Sequence, residues 1–256
     1  MRTNLVSNPL IYGTVKKGTP SAHDMIVAFD TTGSMSSYIE AVKNHVVELI
    51  PDLFSKNPDI RIGIVAFGDY CDMTSKDVFG SAYQSLDLTT DKEAIIKFVR
   101  TARNTGGGDG DEFYELVIHK IVTETSWRKD AKKSVLLIAD ANPHPIGYSY
   151  QDRVKDNKIS WKEEANKAAE LGIEFDTLSI NPGYAPWFKE LSDITNGVHA
   201  PFSSSNKTQE IFKMAAYSRG GDIAREAYES TLCMYEATGD TEMIATANSY
   251  KKKLNE

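Results

Sequence analysis

Four stretches of the chain are short and almost wholly apolar: residues 25–29 (MIVAF), 60–67 (IRIGIVAF), 134–139 (SVLLIA) and 173–180 (IEFDTLSI). Each runs into an acid or a turn, namely Asp30, Gly68 with Asp69, Asp140, and Asn181 with Pro182 and Gly183. Runs of this length without polar alternation suit strands of a parallel sheet that is covered on both faces. Residues 85–89 alternate instead and predict an edge strand, and residues 198–202 predict a last one. Between the runs, apolar positions recur at helical spacing. Ile39, Val42, Val46, Leu49, Ile50 and Phe54 mark a helix over 36–54. Helices are predicted in the same way over 91–103, 111–122, 161–171 and 205–217. Strand and helix in alternation give an α/β, Rossmann-like doubly wound sheet.

The pattern changes after residue 219. Ala224, Ala227, Tyr228, Leu232 and Tyr235 form one helical stripe, and Met243, Ile244, Ala247, Tyr250 and Leu254 form another. Thr238, Gly239 and Asp240 break the two apart. The chain therefore divides into an N-terminal arm (1–21), a sheet domain (22–219) and a C-terminal helical hairpin extension (220–256). The arm carries Arg2, Lys16 and Lys17 and no acid before Asp24. The lysine run 251–253 reads as a solvated helix end. The segment 141–160, with Pro143, Pro145, Gly147, Tyr148 and Tyr150, is a long loop of the kind that more often carries function than accident.

Composition adds constraints. The 256 residues are 41% hydrophobic and 25% charged, an ordinary globular balance. A net charge of −7 argues against a nucleic-acid partner, which requires a basic face. The two cysteines, Cys71 and Cys233, have no metal-site spacing and suit reduced thiols in a cytoplasmic protein. The N-terminus shows no signal-peptide pattern. No stretch approaches the ~20 consecutive apolar residues of a membrane span.

The candidate chemistry lies at strand ends. Asp30 is followed by Thr31, Thr32, Gly33 and Ser34 and then a helix. Asp140 closes the run beginning at Ser134. Between them, residues 105–112 (TGGGDGDE) lead into another helix. Ligands of open α/β sheets bind beyond the carboxyl ends of the strands, where strand order reverses. Carboxylates and hydroxyls together suit a hard divalent cation, Mg²⁺ or Mn²⁺.

Residues 30–34 (DTTGS) resemble the Asp-x-Ser/Thr-x-Ser motif of the metal-ion-dependent adhesion site (MIDAS) in von Willebrand factor A (vWA) domains. The LLIADANPH segment resembles that family's later metal-bearing strand, with Asp140 as the ligand. GGGDGDE resembles the family's middle loop in its Gly-Gly-Gly-Asp-x-x-Glu form. The resemblance covers residues 22–219. It implies a six-stranded, mostly parallel sheet with one antiparallel edge strand. It also implies a bound Mg²⁺ or Mn²⁺ whose open position takes an Asp or Glu carboxylate of a protein partner. The metal set would be Asp30, Thr32, Ser34 and Asp140, with Asp109, Glu112 or Thr105 from the middle loop. Apart from the resemblance, His144, close in sequence to Asp140, reads as a partner-binding rim residue or as a plain loop histidine, and Tyr148 and Tyr150 read as an aromatic partner-binding surface or as cover for the sheet end. The implied role is a non-enzymatic interaction module, an intracellular adaptor or assembly component.

Other readings of the same residues remain open at this point. Ser34, ahead of Ser36 and Ser37, also suits a plain helix cap. The glycine run lacks the Gly-Lys-Ser/Thr ending of a phosphate loop. DTTGS is also close to the Asp-Lys-Thr-Gly-Thr motif of haloacid dehalogenase-type phosphohydrolases, with Asp30 as nucleophile and Lys132 or Lys133 as the catalytic lysine. That alternative lacks an acidic pair at Asp140, which stands between Ala139 and Ala141.

Overall fold

A computed structural model of the chain describes residues 21–76, 78–201 and 205–255. The N-terminal arm up to residue 20 and Phe202 of the expected last strand lie outside the described residues. Each apolar run becomes a strand: β1 (His23–Asp30), β2 (Ile60–Phe67), β5 (Lys132–Ala139) and β7 (Ile173–Ser179). β3 (Tyr83–Thr89) and β8 (His199–Pro201) complete a six-stranded sheet in the order β3-β2-β1-β5-β7-β8. Only β3, at the edge, is antiparallel.

Covering helices alternate with the strands: α1 (Ile39–Lys56), α2 (Lys92–Thr101), α3 (Tyr114–Glu124), α4 (Trp161–Glu170), α5 (Ala185–Ile194) and α6 (Ser205–Tyr217). β1 is buried along its whole length because both of its faces are covered. Its side chains alternate between two cores. Met25, Val27 and Phe29 pack with α1 and α6, while Ile26 and Ala28 pack with α3, α4 and α5.

α7 (Asp222–Thr238) and α8 (Thr241–Lys251) follow. Gly239 ends α7 at φ +70°, a left-handed geometry that glycine adopts without a Cβ penalty. The Asp240 side chain then caps α8 by accepting from the Met243 N–H. Ala224, Tyr228, Leu232, Tyr235, Met243, Ala247 and Tyr250 are all buried in the same core as α1 and α6. The hairpin thus lies over the α1/α6 face of the sheet.

Two helix starts differ from the sequence pattern. The expected helix over 36–54 begins at Ile39, because Gly33–Ser37 form a separate 3₁₀ turn. The expected helix over 111–122 begins at Tyr114. Asp111–Glu112 instead form β4, a two-residue strand paired in parallel with β6 (Asn142–Pro143). Both departures fall at the carboxyl end of the sheet, where tertiary pairing overrides helical periodicity.

Candidate metal centre

β1 runs outward through β2 to β3, and β5 runs the other way through β7 to β8. Strand order therefore reverses between β1 and β5, the position where open α/β sheets bind ligands. Phe29 pairs with Ile138, so Asp30 and Asp140 emerge side by side.

The oxygens there form a continuous chain. Thr32 donates to Asp30 Oδ1 through both its N–H and its Oγ1, each at 2.7 Å. Thr32 Oγ1 lies 3.2 Å from Ser34 Oγ, which donates to Asp140 Oδ1 at 3.1 Å. Neither the 3₁₀ turn nor α1 has a side-chain cap, so the helix-cap reading of Ser34 does not hold. Gly33 donates its N–H to the carbonyl of Gly106, which brings the glycine loop over the strand end.

That loop is held by Asp72, whose carboxylate accepts the N–H groups of Gly106 (2.8 Å) and Gly107 (3.2 Å). Gly107 has φ +71°, and a Cβ there would stand 2.9 Å from Glu112 Oε1 and 3.4 Å from Thr32 Cβ. Glu112 therefore reaches under the loop toward Thr32. It is buried, and its Oε2 has no hydrogen-bond partner. Burial pushes its carboxyl up to about 10, and the charges of Asp30, Asp69, Asp72 and Asp140 push in the same direction. Asp30, fully buried, rises to about 7 through desolvation, against the hydrogen bonds of Tyr114 and Thr32. Burial raises Asp140 as well.

The other candidate residues are placed as follows. Thr105 turns away, its Oγ1 3.0 Å from Thr31 Oγ1. Asp109 is exposed and accepts from Tyr148 Oη at 2.9 Å. It lies within 4.8 Å, ligand atom to ligand atom, of Asp69 and His144. His144 is not an exposed rim residue: it is 2% exposed and its Nε2 sits 2.7 Å from Asp69 Oδ1. Burial lowers its pKa, but the hydrogen bond and charge of Asp69 outweigh that and raise it. The backbone N–H of His144 is fixed by the Glu112 carbonyl and by Glu115 Oε2, which leaves the segment no freedom to turn outward. Tyr148 stacks on His144 with ring centroids 3.6 Å apart, and Tyr148 and Tyr150 are both half-buried.

Sequence reasoning missed Tyr114 and Asp72. Tyr114 Oη donates to Asp30 Oδ2 at 2.6 Å and accepts the Ala141 N–H, tying β1 to the end of β5. Nothing local marks a tyrosine for that role. Asp72 had a signal: it follows the end of β2, next to β1, with Asp69 three residues before it. The phosphohydrolase alternative is not favoured. Lys132 and Lys133 begin β5 and Asp140 follows its end, so the strand separates them by roughly 26 Å.

Known proteins supply the remaining comparison. The model of the von Willebrand factor type A domain matches residues 24–222. The chain belongs to this family. Domains of the family are generally protein-interaction modules, and many bind a divalent metal. This vWA chain is 30% identical over 129 residues to the alpha-protein kinase vwkA of Dictyostelium discoideum, which covers 49% of this chain and 19% of the kinase. It is 26% identical over 222 residues to a putative ariadne-like RING finger protein, R811, of Acanthamoeba polyphaga mimivirus, covering 78% and 20%. The chain thus spans about a fifth of the length of these relatives.

Among solved structures, the pilus adhesin SpaC of Lactobacillus rhamnosus GG superposes with a TM-score of 0.60 at 16% identity, covering 80% of this chain and 31% of that one. BatB of Bacteroides thetaiotaomicron superposes at 0.51 with 15% identity, covering 75% and 95%. These two likenesses concern the fold alone. Among the described residues, no helix is long and apolar enough to cross a membrane.

Proposed function

We propose that this vWA domain is a metal-dependent protein-interaction module whose cation is held by Asp30, Thr32, Ser34, Asp140 and Glu112. One observation carries this reading. The successive oxygens are 2.7, 3.2 and 3.1 Å apart. Neighbouring ligands of an octahedral Mg²⁺, with bonds of 2.0–2.1 Å, lie about 2.9 Å apart. The donor set is all oxygen, as a hard cation such as Mg²⁺ or Mn²⁺ prefers. Three buried carboxylates repel one another, and Glu112 Oε2 has no other partner. Of the middle-loop candidates, Glu112 is supported by that orphaned oxygen, whereas Thr105 and Asp109 are engaged elsewhere.

A divalent ion held here supplies a positive centre with a coordination position for a carboxylate of the partner. The chain's own residues do the rest. Tyr114 and Thr32 orient Asp30, Asp72 holds the glycine loop closed, and Tyr148 and Tyr150 offer aromatic surface beside it. The binding unit on this reading is the sheet domain, 22–219, with the hairpin as its extension. The role is non-enzymatic, that of an adaptor or assembly component. It is supported by relatives in which the matched segment is a small part of a protein named as a kinase or a RING finger protein. A cytoplasmic setting agrees with the unpaired Cys71 and Cys233.

The test compares wild type with Asp30→Ala. Mg²⁺ should raise the melting temperature of the wild type only, and EDTA should release partners captured by the wild type. A melting temperature that responds equally to Mg²⁺ in both proteins would refute the site.

A further inference from the structure

Three segments meet on the β2 side of the metal centre. Asp69 follows β2 and opens the turn Tyr70–Asp72, Asp109 stands in the glycine loop, and His144 follows β6. Their ligand atoms, one imidazole nitrogen and two carboxylate oxygens, all lie within 4.8 Å of one another. The metal centre does not use them: the side-chain bonds of Asp69 and Asp109 go to Cys71, His144 and Tyr148, away from Asp30 and Asp140.

Each of the three is oriented by a group outside the trio. Asp69 accepts the Cys71 N–H through Oδ2, which leaves Oδ1 to His144. The backbone of His144 is fixed by the Glu112 carbonyl and by Glu115 Oε2. Tyr148 donates to Asp109 Oδ2 at 2.9 Å while its ring stacks on His144, so one side chain sets both the carboxylate and the imidazole. Outer bonds of this kind are what hold ligands in metal sites. Asp69 and His144 are buried and Asp109 is exposed, which gives a rigid floor and a mouth open to exchange. The pair His119–Glu164, at 3.2 Å, supplies a contrast within the molecule: no third ligand group of the described residues joins it.

We propose that Asp69, Asp109 and His144 form a second cation site, selective for a borderline divalent ion such as Zn²⁺ over Mg²⁺. An imidazole nitrogen with two carboxylates is a donor set that zinc accepts, with water in the fourth position. Mg²⁺ prefers oxygen alone. Ligand atoms around tetrahedral zinc stand about 3.4 Å apart when the bonds are about 2.0–2.1 Å. The 2.7 Å contact of His144 Nε2 with Asp69 Oδ1 opens slightly to admit the ion, and exposed Asp109, between Gly108 and Gly110, closes in. The ion takes the place of the proton on His144 Nε2, which leaves to solvent. Once bound, it ties the glycine loop to the ends of β2 and β6. The site is independent of the metal centre at Asp30.

The test is calorimetric titration of the full chain with Zn²⁺ in the presence of excess Mg²⁺. The wild type should bind one Zn²⁺ at this site, and Asp30→Ala, which lacks the other centre, should bind it with the same affinity. His144→Gln should abolish binding. Asp109→Asn should weaken it by about tenfold or more, since even the groups behind a metal ligand contribute about 10–100-fold. Melting curves would check that the variants fold, and the exposed Asp109 decides the matter if His144→Gln does not. His119→Gln and Cys233→Ser, at donors outside the site, should bind as wild type does. Failure of the wild type to bind Zn²⁺ overturns the proposal. So does full affinity in Asp109→Asn, loss of the ion in Asp30→Ala, or an equal loss in His119→Gln or Cys233→Ser.

Discussion

Asp30 is held from two sides. Thr32 bonds one carboxylate oxygen and Tyr114 the other. Tyr114→Phe leaves Asp30 Oδ2 and the Ala141 N–H without that partner, at a cost of about 1–3 kcal/mol. Residues that orient a metal ligand in this way typically contribute about 10–100-fold in affinity. Tyr114→Phe should therefore raise the Mg²⁺ concentration needed for half-maximal thermal stabilisation by about that factor. An unchanged midpoint would show that Tyr114 serves packing alone. At the other end of β1, His23 is fully buried and bonds Ser134 Oγ at 2.8 Å. Its pKa falls from 6.5 to about 3 on folding, through desolvation first. Between those values the unfolded chain binds a proton that the native state refuses. Stability from this group is therefore complete above pH 6.5 and is lost as pH falls toward 3, by up to about 1.4 kcal/mol per pH unit. His23→Gln should flatten the pH dependence of urea unfolding between pH 6 and 4 by about that slope.

At the scale of elements, the glycine loop and β4 act as one device. β4 pairs with β6 and so fixes the backbone of Glu112, while Asp72 pins Gly106 and Gly107 above its side chain. Gly107→Ala would place a Cβ 2.9 Å from Glu112 Oε1 at a positive φ. Left-handed backbone alone costs about 1–2 kcal/mol for a residue with a Cβ. The variant should melt a few degrees lower and respond to Mg²⁺ more weakly, as differential scanning fluorimetry with a metal titration would show. The motif at residues 30–34 and the acid Asp140 were legible because strand ends announce themselves by an abrupt change from apolar to polar. β4 was not legible. Two residues carry no periodicity, and their pairing partner lies about thirty positions away on another loop. The burial of His144 was not legible for a related reason: nothing around a proline-flanked histidine in a polar loop announces that Asp69, from the end of β2, is brought beneath it.

For the whole molecule, the hairpin shares the core of the sheet rather than standing apart from it. Tyr228 is buried between α1, α6 and α8, and its hydroxyl bonds the Ala247 carbonyl. Tyr228→Ala should cost about 3–5 kcal/mol, as for other buried aromatics. Urea unfolding followed by circular dichroism and by tryptophan fluorescence should still give one coincident transition at a lower midpoint. Two separated transitions would show instead that the hairpin unfolds independently. The same packing delivers Lys253 to the amino end of the sheet, 79 positions from its partner Glu174, where it is buried and is not the solvated helix end expected for the 251–253 run.

What the sequence determined by itself is local in origin. Apolar runs of strand length, helical stripes between them, and oxygen-bearing residues at the ends of the first and the Ser134 strands can each be read within a short window. Together they specify an α/β sheet with chemistry at its carboxyl edge. The tertiary structure decided which strands are neighbours, and so which acids meet. It set Glu112 rather than Asp109 beside Thr32, withdrew His144 into a pair with Asp69, and gathered Lys132, Lys189, Arg219 and Lys253 from four segments at the far edge. Such outcomes depend on long-range packing and on the burial of charge, and neither leaves a periodic trace along the chain.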